Sequence, residues 1–140
     1  MPINFYPEQG AVLVCDFSGF KSPEMIKRRP VIVISPRFRN RGRLCTIVPL
    51  STTEPRPIEK YHHKLYFNPV LPEPYSSEFK WVKCDMVYTV SFERLSLLFN
   101  GKDELGKRIY ENHIISTDEL LKIQQCVLIA LGICSIDKLS

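Results

Sequence analysis

GAVLVCDFSGFKSPEMIKRRPVIVISPRFRNRGRLCTIVPLSTT, residues 10–53, decides how this chain folds. Three apolar runs, Ala11–Phe17, Pro30–Ser35 and Leu44–Leu50, are held apart by two polar loops. The run PVIVIS is β-branched, which suits a central strand. The first loop carries Glu24, Lys27, Arg28 and Arg29; the second carries Arg37, Arg39, Arg41 and Arg43. From Lys27 to Arg43 there are seven cations and no carboxylate. Such a stretch predicts a face that attracts polyanions, because local potential follows where charge sits. The hydroxyl run Ser51–Thr52–Thr53 begins directly after the third strand. Cations and hydroxyls gathered at strand ends can handle phosphate chemistry without a metal.

Working outward, residues 1–9 form a lead-in, and Ser18–Arg29 is a long excursion containing Gly19 and Pro23. Asn40 and Gly42 suit the turn before Leu44. After Thr53 a proline-rich passage encloses one expected strand, His62–Phe67, and leaves Asn68–Glu78 irregular. Phe79–Val90 alternates as one long strand, and Phe92–Phe99 has an ambiguous period. Gly101 and Gly106 mark turns around a charged, hairpin-like segment ending at Lys107–Tyr110. Ser116 with Glu119 matches a capping box, in which hydroxyl and carboxylate reciprocally satisfy free N–H groups. Leu120, Ile123, Val127, Ala130 and Leu131 then form an apolar helical stripe, with Gly132 as terminator. The sum is a mainly β fold: a small curved barrel of five to seven strands with one C-terminal amphipathic helix against it.

A chain of 140 residues suits one domain, 1–140, with one modest core. The net charge of +4 is too mild to imply nucleic acid by itself; the clustering carries that argument. The five cysteines are odd in number and lack a CxxC pair, which points to a reducing cytoplasm rather than a disulfide framework. The start MPINFYPEQG lacks the regions of a signal peptide. The longest apolar run, Cys126–Cys134, falls short of the roughly 20 residues that span a bilayer, so no membrane is expected.

The segments RRPVIVISP (28–36), CTIVPLSTT (45–53) and VKCDMVYTV (82–90), in that order and followed by an amphipathic helix, give the chain its family likeness. It resembles the MazF/PemK toxins of bacterial toxin–antitoxin systems. The resemblance implies an SH3-like barrel, a homodimer, and metal-independent cleavage of single-stranded RNA at short sequences. It implies no cofactor, and a cognate antitoxin protein as suppressor. By resemblance, Arg29 takes the place of the family's catalytic arginine and Ser51, or Thr52 one residue on, its catalytic hydroxyl. Glu24 matches an acidic residue of the first long loop, and Asp85 the aspartate of a CDQ-like segment. Met86 and Tyr88 depart from the glutamine and arginine often found there, and the insert Pro55–Glu78 is longer and richer in proline than in a short member.

The residues themselves suit these roles. An arginine fork donates to two phosphate oxygens and stays charged. Pro30 biases Arg29 toward extended backbone. Ser51 either donates to the same oxygens or caps a local turn. Glu24 either joins the chemistry or simply caps local backbone or pairs with Lys27 or Arg28. RNA contacts are expected from Lys27, Arg28, Arg37, Arg39, Arg41, Arg43, His62, Asp85 and Tyr88. Phe17, Phe38, Tyr61 and Trp81 are candidates to stack unpaired bases, with Trp81 better suited to the core. His62 and His63 titrate near neutrality, but strand alternation sends them to opposite faces. No metal-ligand spacing is evident. Two other functions fit the barrel: a non-catalytic toxin that binds a protein such as DNA gyrase through the terminal helix and its last residues, Ile133–Leu139, and an inactive RNA-binding module.

Overall fold

The computed structural model describes residues 2–38 and 40–133. Alternation within the first strands builds two cores, one on each face of a curled sheet. Strand β1 (Ala11–Cys15) is buried at every position. Ala11, Leu13 and Cys15 face one core, where Val31, Val33, Cys45 and Ile47 join them. Val12 and Val14 face the other, with Ile32, Val48 and Leu50. A strand apolar on both faces must be covered on both, which explains its unbroken hydrophobic sequence.

Antiparallel pairing places β1 beside β2 (Arg29–Val33), and β2 beside β3 (Leu44–Ser51). The outer edge of β3 changes partner along its length. Leu44–Ile47 pair with β6 (Tyr88–Ser91), whereas Leu50 and Ser51 pair with β5 (Phe79–Lys83). Pro49 lies between these two sets and has no N–H to donate, so it suits the changeover. The expected single strand Phe79–Val90 is therefore two strands, divided by a turn in which Met86 N–H donates to the Lys83 carbonyl at 3.0 Å. Strand β4 (His62–Tyr66) completes that edge against β5.

The ambiguous stretch after β6 resolves into both of its readings. Phe92–Arg94 is a single 3-10 turn, followed by β7 (Leu95–Ser96) and β8 (Leu98–Lys102). Strand β7 pairs with β1, so the sheet curls back toward its start. Strands β8 and β9 (Arg108–Glu111) form a separate two-stranded hairpin, and β10 (His113–Ile114) returns to β1. The result is a mostly β, half-barrel sheet with one C-terminal helix, as the sequence predicts.

Helix α1 (Thr117–Ala130) begins at Ser116, whose Oγ accepts the Glu119 N–H at 3.2 Å. The reciprocal half of the capping box is absent: the Glu119 carboxylate instead meets His63 Nε2 at 2.6 Å and ties the helix to β4. Only Ile123 of the expected stripe is fully buried, and Leu131 is exposed. The helix ends at Gly132 (φ +82°), where the Gly132 and Ile133 N–H groups close back on Ile129 and Leu128. Among the described residues no helix is long and apolar enough to cross a membrane.

Candidate active site

The register of the β2–β3 hairpin builds the site. Val31 pairs with Pro49 and Val33 with Ile47; Arg29 comes two residues before Val31 and Ser51 two residues after Pro49, at the same end of the two strands. Both line one cleft of about 260 Å³, together with Lys27, Arg28, Thr52 and Thr53. Four cations line it, the fourth being Lys80, and its lining contains no carboxylate. The charged groups that an anion meets in this lining are all positive, and Ser51, Thr52 and Thr53 add hydroxyls.

Arg29 is half-buried, and its Nε is buried with no hydrogen-bond partner among the described residues. A buried N–H without an acceptor is costly, and an incoming oxyanion would satisfy it. Ser51 is buried at the end of β3, and its Oγ accepts the Thr53 N–H at 3.1 Å. The turn-capping role open to Ser51 is thus realised, while its own O–H remains free to donate.

Lys80 escapes sequence reasoning, because an alternating FKWVK strand gives it no distinction. Its side chain is 1% exposed, and its Nζ donates to Ser77 Oγ. No carboxylate lies within ion-pairing distance of it among the described residues. Burial pushes its ammonium below the ordinary lysine value. A buried cation that lines a cleft and lacks a counter-ion is a candidate anion ligand.

The second arginine loop lies elsewhere. Arg29 begins β2 and the arginine loop follows its far end, so the length of that strand, roughly 16 Å, separates them. The expectation of one continuous cationic face is therefore corrected. The arginines of that loop also have structural partners. Arg37 Nε donates to the Tyr6 carbonyl at 3.1 Å. Arg41 donates to Thr46 Oγ1 at 2.7 Å and Thr89 Oγ1 at 3.1 Å. Arg43 lies 3.6 Å from Glu93. Arg39 lies outside the described residues, as does most of Ile133–Leu139.

Several other expected contacts are redirected by packing. Phe17 is fully buried, continuing the odd-numbered alternation of β1, and cannot offer a face to a base. Tyr88 packs on Phe17 and Phe20 with ring centroids 5.1 and 5.4 Å away, and its hydroxyl accepts the Met25 N–H at 3.1 Å. It clamps the long first loop instead of reaching into the cleft. Arg94, unnoticed in sequence, holds the same loop by donating to the Asp16 and Ser18 carbonyls at 2.9 and 2.7 Å. Glu24 does not line the cleft; its carboxylate accepts the Lys21 N–H at 3.0 Å, so of its local alternatives the backbone cap is realised and, among the described residues, pairing with Lys27 or Arg28 is not.

His62 Nδ1 accepts the Glu59 N–H at 2.9 Å, and burial holds its pKa below the usual histidine value. His63 is engaged with Glu119, so neither histidine lines the cleft. Asp85 sits in the β5–β6 turn, where its charge acts on Tyr61 and His62. Trp81 is buried, as its core alternative requires. Phe38 is exposed, with the Arg41 guanidinium 5.7 Å from its ring centre. Among the described residues no three His, Cys, Asp or Glu side chains gather as a metal-ligand set.

Comparison with known proteins agrees with this architecture. Residues 8–131 match the family described as PemK-like, MazF-like toxin of type II toxin-antitoxin system. The chain belongs to that family. The protein YifN of Escherichia coli (strain K12) is 31% identical over 115 residues, covering 69% of this chain and 76% of YifN. MazF from Deinococcus radiodurans shares the fold with a TM-score of 0.63 at 17% identity, covering 92% of this chain and 99% of its own. An endoribonuclease from a mycobacterial species, solved in complex with its cognate antitoxin, gives 0.58 at 20% identity, covering 90% and 95%.

Proposed function

We propose that this chain is a sequence-specific endoribonuclease toxin that cuts single-stranded RNA without a metal and is neutralised by an antitoxin protein. The observation that carries this reading is the cleft where Arg29, Lys80, Ser51 and Thr52 meet with no carboxylate in the lining. Family membership and the endoribonuclease identity of the mycobacterial protein of the same fold support it.

In this reaction the RNA 2′-OH gives up its proton as its oxygen bonds to phosphorus, the bond from phosphorus to the 5′ oxygen breaks, and that leaving oxygen takes up a proton. The products are a 2′,3′-cyclic phosphate and a free 5′-OH. The crowded intermediate gathers negative charge on its non-bridging oxygens. Arg29 grips those oxygens through its fork, and Lys80 adds a second positive charge from a drier site, where it counts for more. The O–H of Ser51 or Thr52 donates a further hydrogen bond. Preorganised donors of this type are each worth about 3 kcal/mol. The protein cations here supply the charge neutralisation that a metal would otherwise give.

The antitoxin is read as an acidic segment that competes for the same cleft, whose four cations suit a carboxylate-rich chain as well as a phosphate. A pairing of two copies belongs to the same reading, supported by apolar Leu121, Ile129 and Leu131 left exposed on and beyond α1. The test is incubation of purified protein with a long unstructured RNA in excess EDTA, followed by mass analysis of the fragments. Discrete cuts ending in cyclic phosphate are expected. RNA left intact by well-folded protein across varied sequences would refute the reading.

A further inference from the structure

A second cleft, of about 500 Å³, adjoins the first. Arg28, Pro74 and Tyr75 line both, so the two clefts are neighbours that share these residues. The far wall of the second cleft is the β8–β9 hairpin. Leu98 anchors that hairpin in the second core, but the residues beyond it turn to solvent. Phe99 and Tyr110 form a cross-strand pair there, with ring centroids 6.0 Å apart at 63°. They are 44% and 38% exposed and line the cleft. Arg108 holds its guanidinium 5.6 Å from the Phe99 ring centre, also in the lining.

Arg28 is held only loosely where the clefts join. Its contacts are Ser96 Oγ at 3.4 Å and Asp16 at 3.9 Å. Glu73, the acidic side chain of the lining, accepts a hydrogen bond from Ser76 Oγ. Exposed aromatic rings that share a lining with two arginines, beside a cationic cleft, match what a single-stranded nucleic acid needs: a face for a base and positive charge for phosphates. Val14, Pro72, Pro74, Leu97 and Leu98 supply an aliphatic floor as well, and it is Arg28 and Arg108 in the same lining that favour a polyanion over an apolar protein segment.

We infer that Phe99, Tyr110 and Arg108 form a nucleotide subsite, in which a base next to the scissile phosphate stacks on the hairpin while Arg28 and Arg108 hold the adjoining phosphates. The inference rests on the RNA reading of the Arg29 cleft and extends it to a neighbouring nucleotide. It also gives the β8–β9 hairpin a function that the core does not require of it.

The test uses a random-sequence pool of 2′-O-methyl hexanucleotides, each carrying one 2-aminopurine, because such RNA binds without being cut. Stacking on wild-type protein should quench the fluorophore. The double variant Phe99→Ala/Tyr110→Ala should lose that quenching and about tenfold in affinity. Arg108→Gln, at an exposed strand position, should weaken binding and lower the salt slope by about one. If the double variant fails to fold, Arg108→Gln carries the test. Wild-type affinity and quenching in folded variants would overturn the subsite, as would no binding of the pool by wild type. Should wild type bind through Phe99 and Tyr110 yet never cut RNA, the nuclease reading fails and the subsite stands. Normal cutting alongside variants with unchanged binding means that the subsite fails and the nuclease reading stands.

Discussion

Lys80 shows how a single residue joins stability to chemistry. A buried lysine held below its ordinary pKa of 10.5 destabilises the fold while it is charged. The unfolded chain binds that proton more readily, so this residue makes stability rise with pH above its lowered folded value. Lys80→Met should therefore raise the melting temperature at pH 7, by about 3 °C for each kcal/mol relieved. The gain should shrink as pH climbs toward 10.5. Cleavage should fall about tenfold to a hundredfold at the same time. A variant that is less stable at every pH, or fully active, would contradict this. Arg29 and Ser51 were picked out through the family likeness of RRPVIVISP and CTIVPLSTT, and the fold brings both to one cleft. Lys80 was not, since nothing in FKWVK tells a buried lysine from a solvated one. Arg41 and Arg43 misled for a related reason: Thr89 and Glu93, which engage them, lie far along the chain.

At the scale of elements, the first long loop matters most, because it ends in Lys27, Arg28 and Arg29. Two distant side chains position it. Tyr88 reaches it from β6, and Arg94 from the 3-10 turn, with its guanidinium 4.7 Å from the Phe20 ring centre. Tyr88→Phe removes the acceptor of the Met25 N–H while leaving the ring packing, and should cost about 1 kcal/mol. Thermal unfolding checks this; an unchanged melting temperature would show that the clamp contributes nothing. Strands β1 to β4 were legible from apolar runs, within two residues at their ends. The division between β5 and β6 was not, because it answers the change of partner along β3, a tertiary event. Likewise, Ser116 announced the start of α1, but the diversion of Glu119 to His63 depends on β4 lying beneath the helix.

For the molecule as a whole, the distribution of charge says more than its total. The net charge of +4 is small, yet the seven cations from Lys27 to Arg43 fall into two groups, one leading into β2 and one between β2 and β3. Those of the second group mostly serve the fold through Tyr6, Thr46, Thr89 and Glu93. Those of the first face a cleft without acidic residues. That asymmetry favours a reaction centre at one end of the sheet. The most direct measurement compares cleavage of one RNA by wild type and Arg29→Ala, with thermal unfolding of both. The account predicts a fall of about a hundredfold to a thousandfold in kcat for a variant that melts with wild-type cooperativity. A folded Arg29→Ala protein cutting at the wild-type rate would contradict it.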